Sequence, residues 1–257
     1  MSVGVDVLVI GGGPAGYAAA FRAADIGLSV TLVNEEEKPG GVCLYRGCIP
    51  TKALLHAVKV MRHAGRATEM GITYADPDVN VDALRRFKDD VTTAHGKGLR
   101  ILTTSRGITY IHGRAKLQTG SRAVIVDGEY ANQEIAFKSA ILATGSQAMP
   151  LPGVSFDSDV VMNAEEALRL ESVPERLLVV GAGYIGLELS SIYRALGSKV
   201  TIAEMLSGLM PGADRDIVKV FEKENGDLFE EILVETKVTS VEEGDGSALV
   251  TTESADG

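Results

Sequence analysis

Val5-Asp6-Val7-Leu8-Val9-Ile10-Gly11-Gly12-Gly13-Pro14-Ala15-Gly16 stands almost at the start of the chain. The apolar run Val5 to Ile10 has the length of a buried parallel strand. Helix-like residues follow the glycines to about Ile26, with Gly27 as the stop, and Ser29 to Val33 reads as a second strand. Strand, glycine turn, helix and strand make the frame that a dinucleotide fingerprint requires. Gly11 permits the tight turn, Gly13 lets backbone approach a pyrophosphate, and Gly16 lets the helix pack close to the strand. The helix N-terminus then offers its free N–H groups and partial positive charge to phosphates. The fingerprint also wants an acid some twenty residues on. Asn34 stands there, followed by Glu35, so the ribose contact falls to an amide or to its neighbour.

The same grammar returns 170 residues later. Leu177 to Val180 reads as a strand, Gly181-Ala182-Gly183-Tyr184-Ile185-Gly186 as the turn, and Leu187 to Leu196 as a helix stopped by Gly197. The next strand, Lys199 to Ala203, runs into Glu204. A carboxylate there accepts hydrogen bonds from ribose hydroxyls and repels a 2′-phosphate, which favours NAD over NADP. Two such turns predict an α/β chain of two doubly wound, Rossmann-like nucleotide-binding domains. Residues 1–149 form the first and 150–257 the second, with the Pro-Gly segment Met149 to Gly153 as the linker.

Between the turns, Cys48 to Arg66 and Val81 to Thr104 read as long helices, the second weakened by Gly96 and Gly98. The short runs ITYIHG, RAVIV, EIAF and SAILAT predict a β-meander closing the first domain. Asn163-Ala164-Glu165-Glu166 is a capping-box-like helix start. Lys237–Val241 and Ala248–Thr252 form a strand pair around Gly244-Asp245-Gly246. The chain then stops on a second turn signal, Asp256-Gly257, with no strand after it. The second domain is therefore expected to be incomplete.

Composition narrows the function classes. The 257 residues carry a net charge of −10, with 5% aromatics and no Trp. A nucleic-acid binder would show a basic footprint or stacking rings. No apolar run approaches the ~18 residues of a membrane span, and Met1 to Asp6 has no positive n-region and runs straight into a strand-like segment, so it is not expected to be a secretory signal. Nucleic-acid and membrane partners are accordingly not expected, and a cytoplasmic location is.

The two cysteines, Cys43 and Cys48, lie in Cys-Leu-Tyr-Arg-Gly-Cys-Ile-Pro-Thr-Lys, residues 43–52. Five residues of ideal helix rise ~7.5 Å, beyond disulfide reach, so Cys43 must lie in a distorted first turn or just before the helix. Cys48 then sits near the helix N-terminus, whose field favours a thiolate, and Lys52 one turn on adds positive charge. Reversible thiol–disulfide exchange suits this pair, and the two cysteines are expected within disulfide reach. The alternatives are half of a metal site and inert thiols. Structural zinc wants about four ligands, and His56, His63, His95 and His112 show no ligand spacing with the pair, so no metal is expected.

Taken with GGVCLYRGCIPTKALLH, AILATGSQAMPLPG, VVGAGYIGLE and VTIAEML, these motifs resemble the FAD-dependent pyridine nucleotide–disulfide oxidoreductases. The likeness is greatest to the dihydrolipoyl dehydrogenase branch. The resemblance implies an enzyme that passes electrons between dihydrolipoamide and NAD⁺ through a Cys43–Cys48 disulfide and FAD. Cys43 is then the interchange thiol and Cys48 the thiolate against the flavin. Lys52 lies near the flavin N5, paired across the domains with Glu188. FAD is implied along Gly11, Gly13, Pro14 and Gly16, with Asn34 or Glu35 at its ribose. Gly41, Val42, Lys52, Ala115, Thr144 and Gly145 would lie close to it. NAD is implied along Gly181, Ala182, Gly183, Tyr184, Ile185 and Gly186, with Glu204 and the backbone near Val238. Tyr184 matches a ring that covers the flavin in glutathione-reductase-like members. Those enzymes and mercuric reductases are the alternatives within the class, and a non-catalytic nucleotide-binding fragment is the alternative outside it. Family members are homodimers, and a 2-oxo acid dehydrogenase complex is a possible partner. The dimerisation domain with its His–Glu acid/base pair has no counterpart here, so the chain alone is expected to be inactive.

Overall fold

A computed structural model describes residues 3–255. Asp256 and Gly257, which carry the expectation of an interrupted hairpin, lie outside the described residues. The chain divides into two compact units, residues 1–50 with 88–147, and residues 51–87 with 148–257. Residues 51–87 thus group with the second unit, which a division at 149/150 does not anticipate.

The elements in chain order begin with β1 (Val3–Ile10), α1 (Pro14–Asp25), β2 (Val30–Asn34), α2 (Gly41–Arg46) and α3 (Cys48–Arg66). Next come α4 (Val81–Ser105), β3 (Thr109–His112), β4 (Ala115–Thr119), β5 (Arg122–Ile125) and β6 (Glu134–Leu142). The rest are α5 (Ala164–Arg169), β7 (Arg176–Val180), α6 (Tyr184–Ala195), β8 (Lys199–Ala203), α7 (Arg215–Asn225), β9 (Glu231–Leu233), β10 (Thr236–Gly244) and β11 (Ser247–Ser254).

The first unit is built on a six-stranded sheet in the order β3-β2-β1-β6-β5-β4. β1 runs parallel to β2 on one side and to β6 on the other, so the strand carrying the glycine turn is central. Val7 and Val9 pack with Ala20 and Ala23 of α1 on one face, while Leu8 packs with Ile125 and Ile135 on the other. The small alanines let α1 lie close to the sheet. The meander is smaller than the short runs suggest. ITYIHG pairs parallel with β2 at the far edge, and EIAF and SAILAT fuse into the single strand β6. Only β4, β5 and β6 form consecutive antiparallel pairs. Gly96 and Gly98 do not interrupt α4, which runs unbroken for 25 residues.

In the second unit β7, β8 and β9 are parallel and adjacent in that order, matching β1, β2 and β3 of the first. Its core gathers Leu187 and Ile192 of α6, Val200 and Ile202 of β8, and Leu54 of α3. Asn163 caps α5 through Oδ1, which accepts from the N–H groups of Glu165 and Glu166, and the Glu166 side chain returns to the Asn163 N–H. The β10–β11 hairpin forms, with Asp245 (φ 49°) and Gly246 (φ 72°) at its turn.

Tyr193 is the largest side chain buried in this core, and its hydroxyl donates to the Ala167 carbonyl at 2.8 Å. Burial pushes its pKa up to about 12. The unfolded chain releases that proton near pH 10 and the folded chain does not. The stabilisation is therefore complete below pH 10 and declines by up to about 1.4 kcal/mol per pH unit until pH 12. Urea midpoints measured from pH 9 to 12 should fall more steeply for the wild type than for Tyr193→Phe. Parallel slopes would assign the alkaline loss to other groups.

Candidate functional site

Each glycine turn is braced by the side chain at the end of the following strand. In the first unit the Gly11 N–H donates to the Val33 carbonyl and the Gly12 N–H to Asn34 Oδ1, both at 2.8 Å. In the second the Gly181 N–H donates to the Ala203 carbonyl at 2.8 Å and the Ala182 N–H to Glu204 Oε2 at 2.7 Å. Asn34 and Glu204 therefore occupy the same place in two copies of one device.

A methyl group built on Gly16 would stand 1.7 Å from the Gly11 carbonyl oxygen, and one on Gly186 2.1 Å from that of Gly181. These glycines are demanded by the packing of helix against turn. A methyl group on Gly13 or Gly183 meets nothing within 4 Å. Both residues are N-caps of twelve-residue helices without a side-chain cap. Backbone donors thus face open space at the start of α1 and of α6, where a pyrophosphate fits.

The first turn collects the neighbours implied for it. The Gly40 N–H donates to the Gly12 carbonyl at 2.8 Å, and a methyl on Gly41 would meet Gly13 Cα at 2.6 Å. Gly11 abuts the Ala143 carbonyl and the Thr144 nitrogen. Thr144 and Gly145 are exposed, as is Val42 at the start of α2. Glu35 turns away to Arg114 at 3.1 Å, leaving Asn34 at the turn. Ala115 packs beside the cluster of Val33 and Ile111.

Sequence reasoning missed the support of Asn34. Its Nδ2 donates to the Tyr110 hydroxyl at 3.1 Å, and that hydroxyl donates to the Glu36 carbonyl at 2.6 Å. Burial pushes the Tyr110 pKa up, so this brace stays protonated. Glu36 pairs with Arg46, while its Oε2 is buried without a hydrogen-bond partner. The signal available was the amide at an acid's position, which needs donors and acceptors to hold it.

Cys43 and Cys48 form a disulfide with Cα atoms 4.7 Å apart. The geometry depends on a break in the helix. Cys43 belongs to the short α2, Cys48 opens α3, and Gly47 between them leaves helical backbone at φ −150°, ψ −110°. Cys43 lines a cavity of about 450 Å³ in the first unit, whose other walls come from Tyr17, Leu44, Ile49 and α4. Cys48 is not among its lining residues. The two glycines of α4 now have reasons. A methyl on Gly96 would stand 2.7 Å from the Tyr45 hydroxyl, so Gly96 brings α4 onto the cysteine helix, and Gly98 lines the cavity. No group of three or more metal-ligating side chains occurs among the described residues.

In the second unit, Lys52 Nζ and Glu188 Oε1 are 2.5 Å apart. Both residues belong to that unit, so the pair is internal to it rather than a bridge between domains. Partial exposure limits its value to about 1 kcal/mol at most. Lys52→Ala should lower the urea-unfolding free energy by less than that, with the difference shrinking in 1 M NaCl. A salt-independent loss above 2 kcal/mol would make Lys52 a packing residue instead.

α6 begins at Tyr184, three residues earlier than the sequence suggests, so Tyr184 and Ile185 project from its first turn and are exposed. Tyr184 and Glu188 also line a groove of about 720 Å³ with Leu55 and Phe221. Glu204 is buried, and its Oε1 also accepts the Leu206 N–H at 2.8 Å. The Thr236 N–H donates to the Glu204 carbonyl, which puts Val238 two residues along the adjoining strand.

No helix among the described residues is long and apolar enough to cross a membrane. The chain is 41% identical over 248 residues to a dihydrolipoyl dehydrogenase of Vibrio parahaemolyticus, which covers 96% of this chain and 52% of that protein. It is 45% identical over 222 residues to dihydrolipoyl dehydrogenase 2 of Haloarcula marismortui, covering 86% and 47%. It thus spans about half the length of the curated relatives it matches. Among solved structures, the Cu(II) complex of the HOCl-induced flavoprotein disulfide reductase RclA from Escherichia coli superposes with a TM-score of 0.82. That match has 26% identity and covers 99% of this chain and 54% of the other. The family model of pyridine nucleotide-disulphide oxidoreductases matches residues 5–257. With paired glycine turns, a disulfide at a broken helix start and this match over nearly its whole length, the chain belongs to the pyridine nucleotide-disulphide oxidoreductases.

Proposed function

We propose that the chain carries the nucleotide-binding units and redox disulfide of a cytoplasmic flavoenzyme that passes electrons from dihydrolipoamide to NAD⁺. The observation that carries this reading is the cavity, which reaches Cys43 but not Cys48 and is walled almost entirely by apolar side chains. A substrate thiolate entering it attacks the Cys43 sulfur. The Cys43–Cys48 bond breaks, and Cys48 leaves as a thiolate at the N-terminus of α3, where the helix field favours it. The second substrate thiol then displaces Cys43 and closes the substrate disulfide, so the substrate is oxidised and the cysteine pair reduced. When bound, FAD supplies a two-electron carrier and NAD⁺ a hydride acceptor. The turn from Gly11 to Gly16 with Asn34 holds the flavin nucleotide, together with Gly41, Val42, Ala115, Thr144 and Gly145. The turn from Gly181 to Gly186 with Glu204 and the Val238 backbone holds the nicotinamide nucleotide. Lys52, paired with Glu188, is the lysine that would serve the flavin. The parent enzyme works as a homodimer within a 2-oxo acid dehydrogenase complex.

No Lys, Arg, Asp or Glu lines the cavity. Such a wall suits the alkyl arm of a lipoyl group and offers the carboxylates of a glutathione-like substrate a single basic side chain, His95. The test is thiol titration of the FAD-loaded chain after a brief exposure to dihydrolipoamide or to reduced glutathione. Two new protein thiols should appear at least ten times faster with dihydrolipoamide. Equal rates, or no new thiols, would overturn the reading.

A further inference from the structure

On a chain of net charge −10, α3 contains no Asp or Glu. It carries Lys52, Lys59, Arg62 and Arg66, with His56 and His63. Positions 52, 56, 59, 63 and 66 recur at intervals of three and four residues, so they share one face of the helix, and all five residues are exposed. A basic stripe alone is commonly a solvated face. This one runs beside the groove of about 720 Å³ in the second unit, a volume that suits a small organic ligand.

Lys59 and His63 line that groove together with apolar side chains of α3, α6 and α7, among them Leu55, Leu187 and Phe221. The other charges along it are committed. Glu188 pairs with Lys52, and the Glu224 carboxylate with Arg66 at 3.5 Å. Arg62 donates to Asn225 Oδ1 and to the Glu224 carbonyl, both at 2.7 Å, and Arg194 donates to the Leu228 carbonyl at 2.8 Å. Among the described residues, Lys59 and His63 form no hydrogen bond or ion pair. Two uncommitted basic side chains, one helical turn apart, therefore stand at an apolar trough. A small polar anion would leave the apolar wall wet, and a neutral lipid would leave the bases unused. An alkyl chain with a negative head satisfies both.

We infer that the groove binds a single-chain amphiphilic anion, a fatty carboxylate or its phosphate or sulfate equivalent. The head meets Lys59 and His63, and the chain lies against Leu55, Leu187 and Phe221. This site is separate from the Cys43 cavity and does not depend on the exchange chemistry proposed above.

The experiment is calorimetric titration of the FAD-loaded chain at pH 7 with dodecanoate, octanoate and dodecyltrimethylammonium, each below its micellar concentration. One dodecanoate should bind per chain. Each buried methylene is worth about a fourfold gain in affinity, so dodecanoate should bind at least thirtyfold more tightly than octanoate. The cationic amphiphile should bind at least tenfold more weakly than dodecanoate. Lys59→Glu combined with His63→Glu lies on an exposed helix face and should abolish that preference for the anion, whereas Lys59→Arg with His63→Lys should keep it. Saturating NADH should leave the dodecanoate affinity within threefold. Absence of saturable dodecanoate binding, equal binding of the two ions, or a doubly acidic variant that binds like the wild type would overturn the proposal. Displacement by NADH would move the anion to the nucleotide turn and overturn it too. An octaglutamate peptide that binds where dodecanoate does not would give the stripe to an acidic protein surface instead.

Discussion

Gly16→Ala should unfold the first unit, whereas Gly13→Ala, three residues away, should leave it folded and weaken flavin binding. The two glycines look alike in the sequence and differ in what surrounds them. A methyl on Gly16 falls 1.7 Å from the Gly11 carbonyl oxygen, a backbone atom that cannot rotate away. Gly11 in turn lies against the Ala143 carbonyl, with φ at +107°, so the turn cannot retreat without disturbing the join between β1 and the chain after β6. The cost belongs with the most severe substitutions, above about 4 kcal/mol. The Gly13 methyl meets nothing within 4 Å, and its backbone (φ −72°, ψ −176°) suits any residue. Its stability cost should stay near 0.5 kcal/mol, the value of a weakened N-cap. A pyrophosphate on the α1 N–H groups would touch that methyl, so FAD affinity should drop at least tenfold. Urea unfolding and flavin titration of both variants check the contrast. A stable Gly16→Ala, or a Gly13→Ala that binds FAD like the wild type, would break the link between packing glycine and ligand glycine.

The parts of this molecule legible in the sequence are those whose constraints are local. A glycine three residues into a helix, against a turn five residues earlier, is a short-range necessity, which is why both fingerprints could be read. The Asn163 capping box and the Asp245-Gly246 hairpin turn are local in the same sense. The disulfide was legible because ideal helix geometry forbids it, so a break had to exist, and Gly47 supplies it. What could not be read depends on distant partners. Gly96 and Gly98 look like helix weaknesses until Tyr45 and the Cys43 cavity are placed against them. Leu54 packs with Leu187 and Ile202, more than 130 residues away, and so takes part of α3 into the second unit. The strand at Thr109–His112 could join either edge of its sheet by pattern alone.

Substituting Glu204 should separate two roles that its position combines. Its carboxylate accepts the N–H of Ala182, which is fully buried, and that of Leu206, which is half-exposed. A carboxylate has about four lone-pair sites, so two remain for the ribose hydroxyls of a nicotinamide nucleotide. Glu204→Ala leaves the Ala182 N–H without a partner where water cannot reach it, at a cost of about 2 kcal/mol. The Leu206 N–H can turn to solvent and adds little. Glu204→Gln keeps one carbonyl oxygen for Ala182 and should lose only about half as much. Charge is the second role. The glutamate repels a 2′-phosphate, and the amide does not. Glu204→Gln should therefore narrow the preference for NADH over NADPH at least tenfold, mostly by improving NADPH binding, while remaining folded. Glu204→Ala should weaken both cofactors, because the turn that receives the pyrophosphate loses its brace. Fluorescence titrations with NADH and NADPH, beside urea unfolding of the same samples, distinguish these outcomes. If Glu204→Gln leaves the cofactor ratio where it was, the carboxylate serves only as the brace of the turn. Discrimination between the two nucleotides must then come from elsewhere in the second unit.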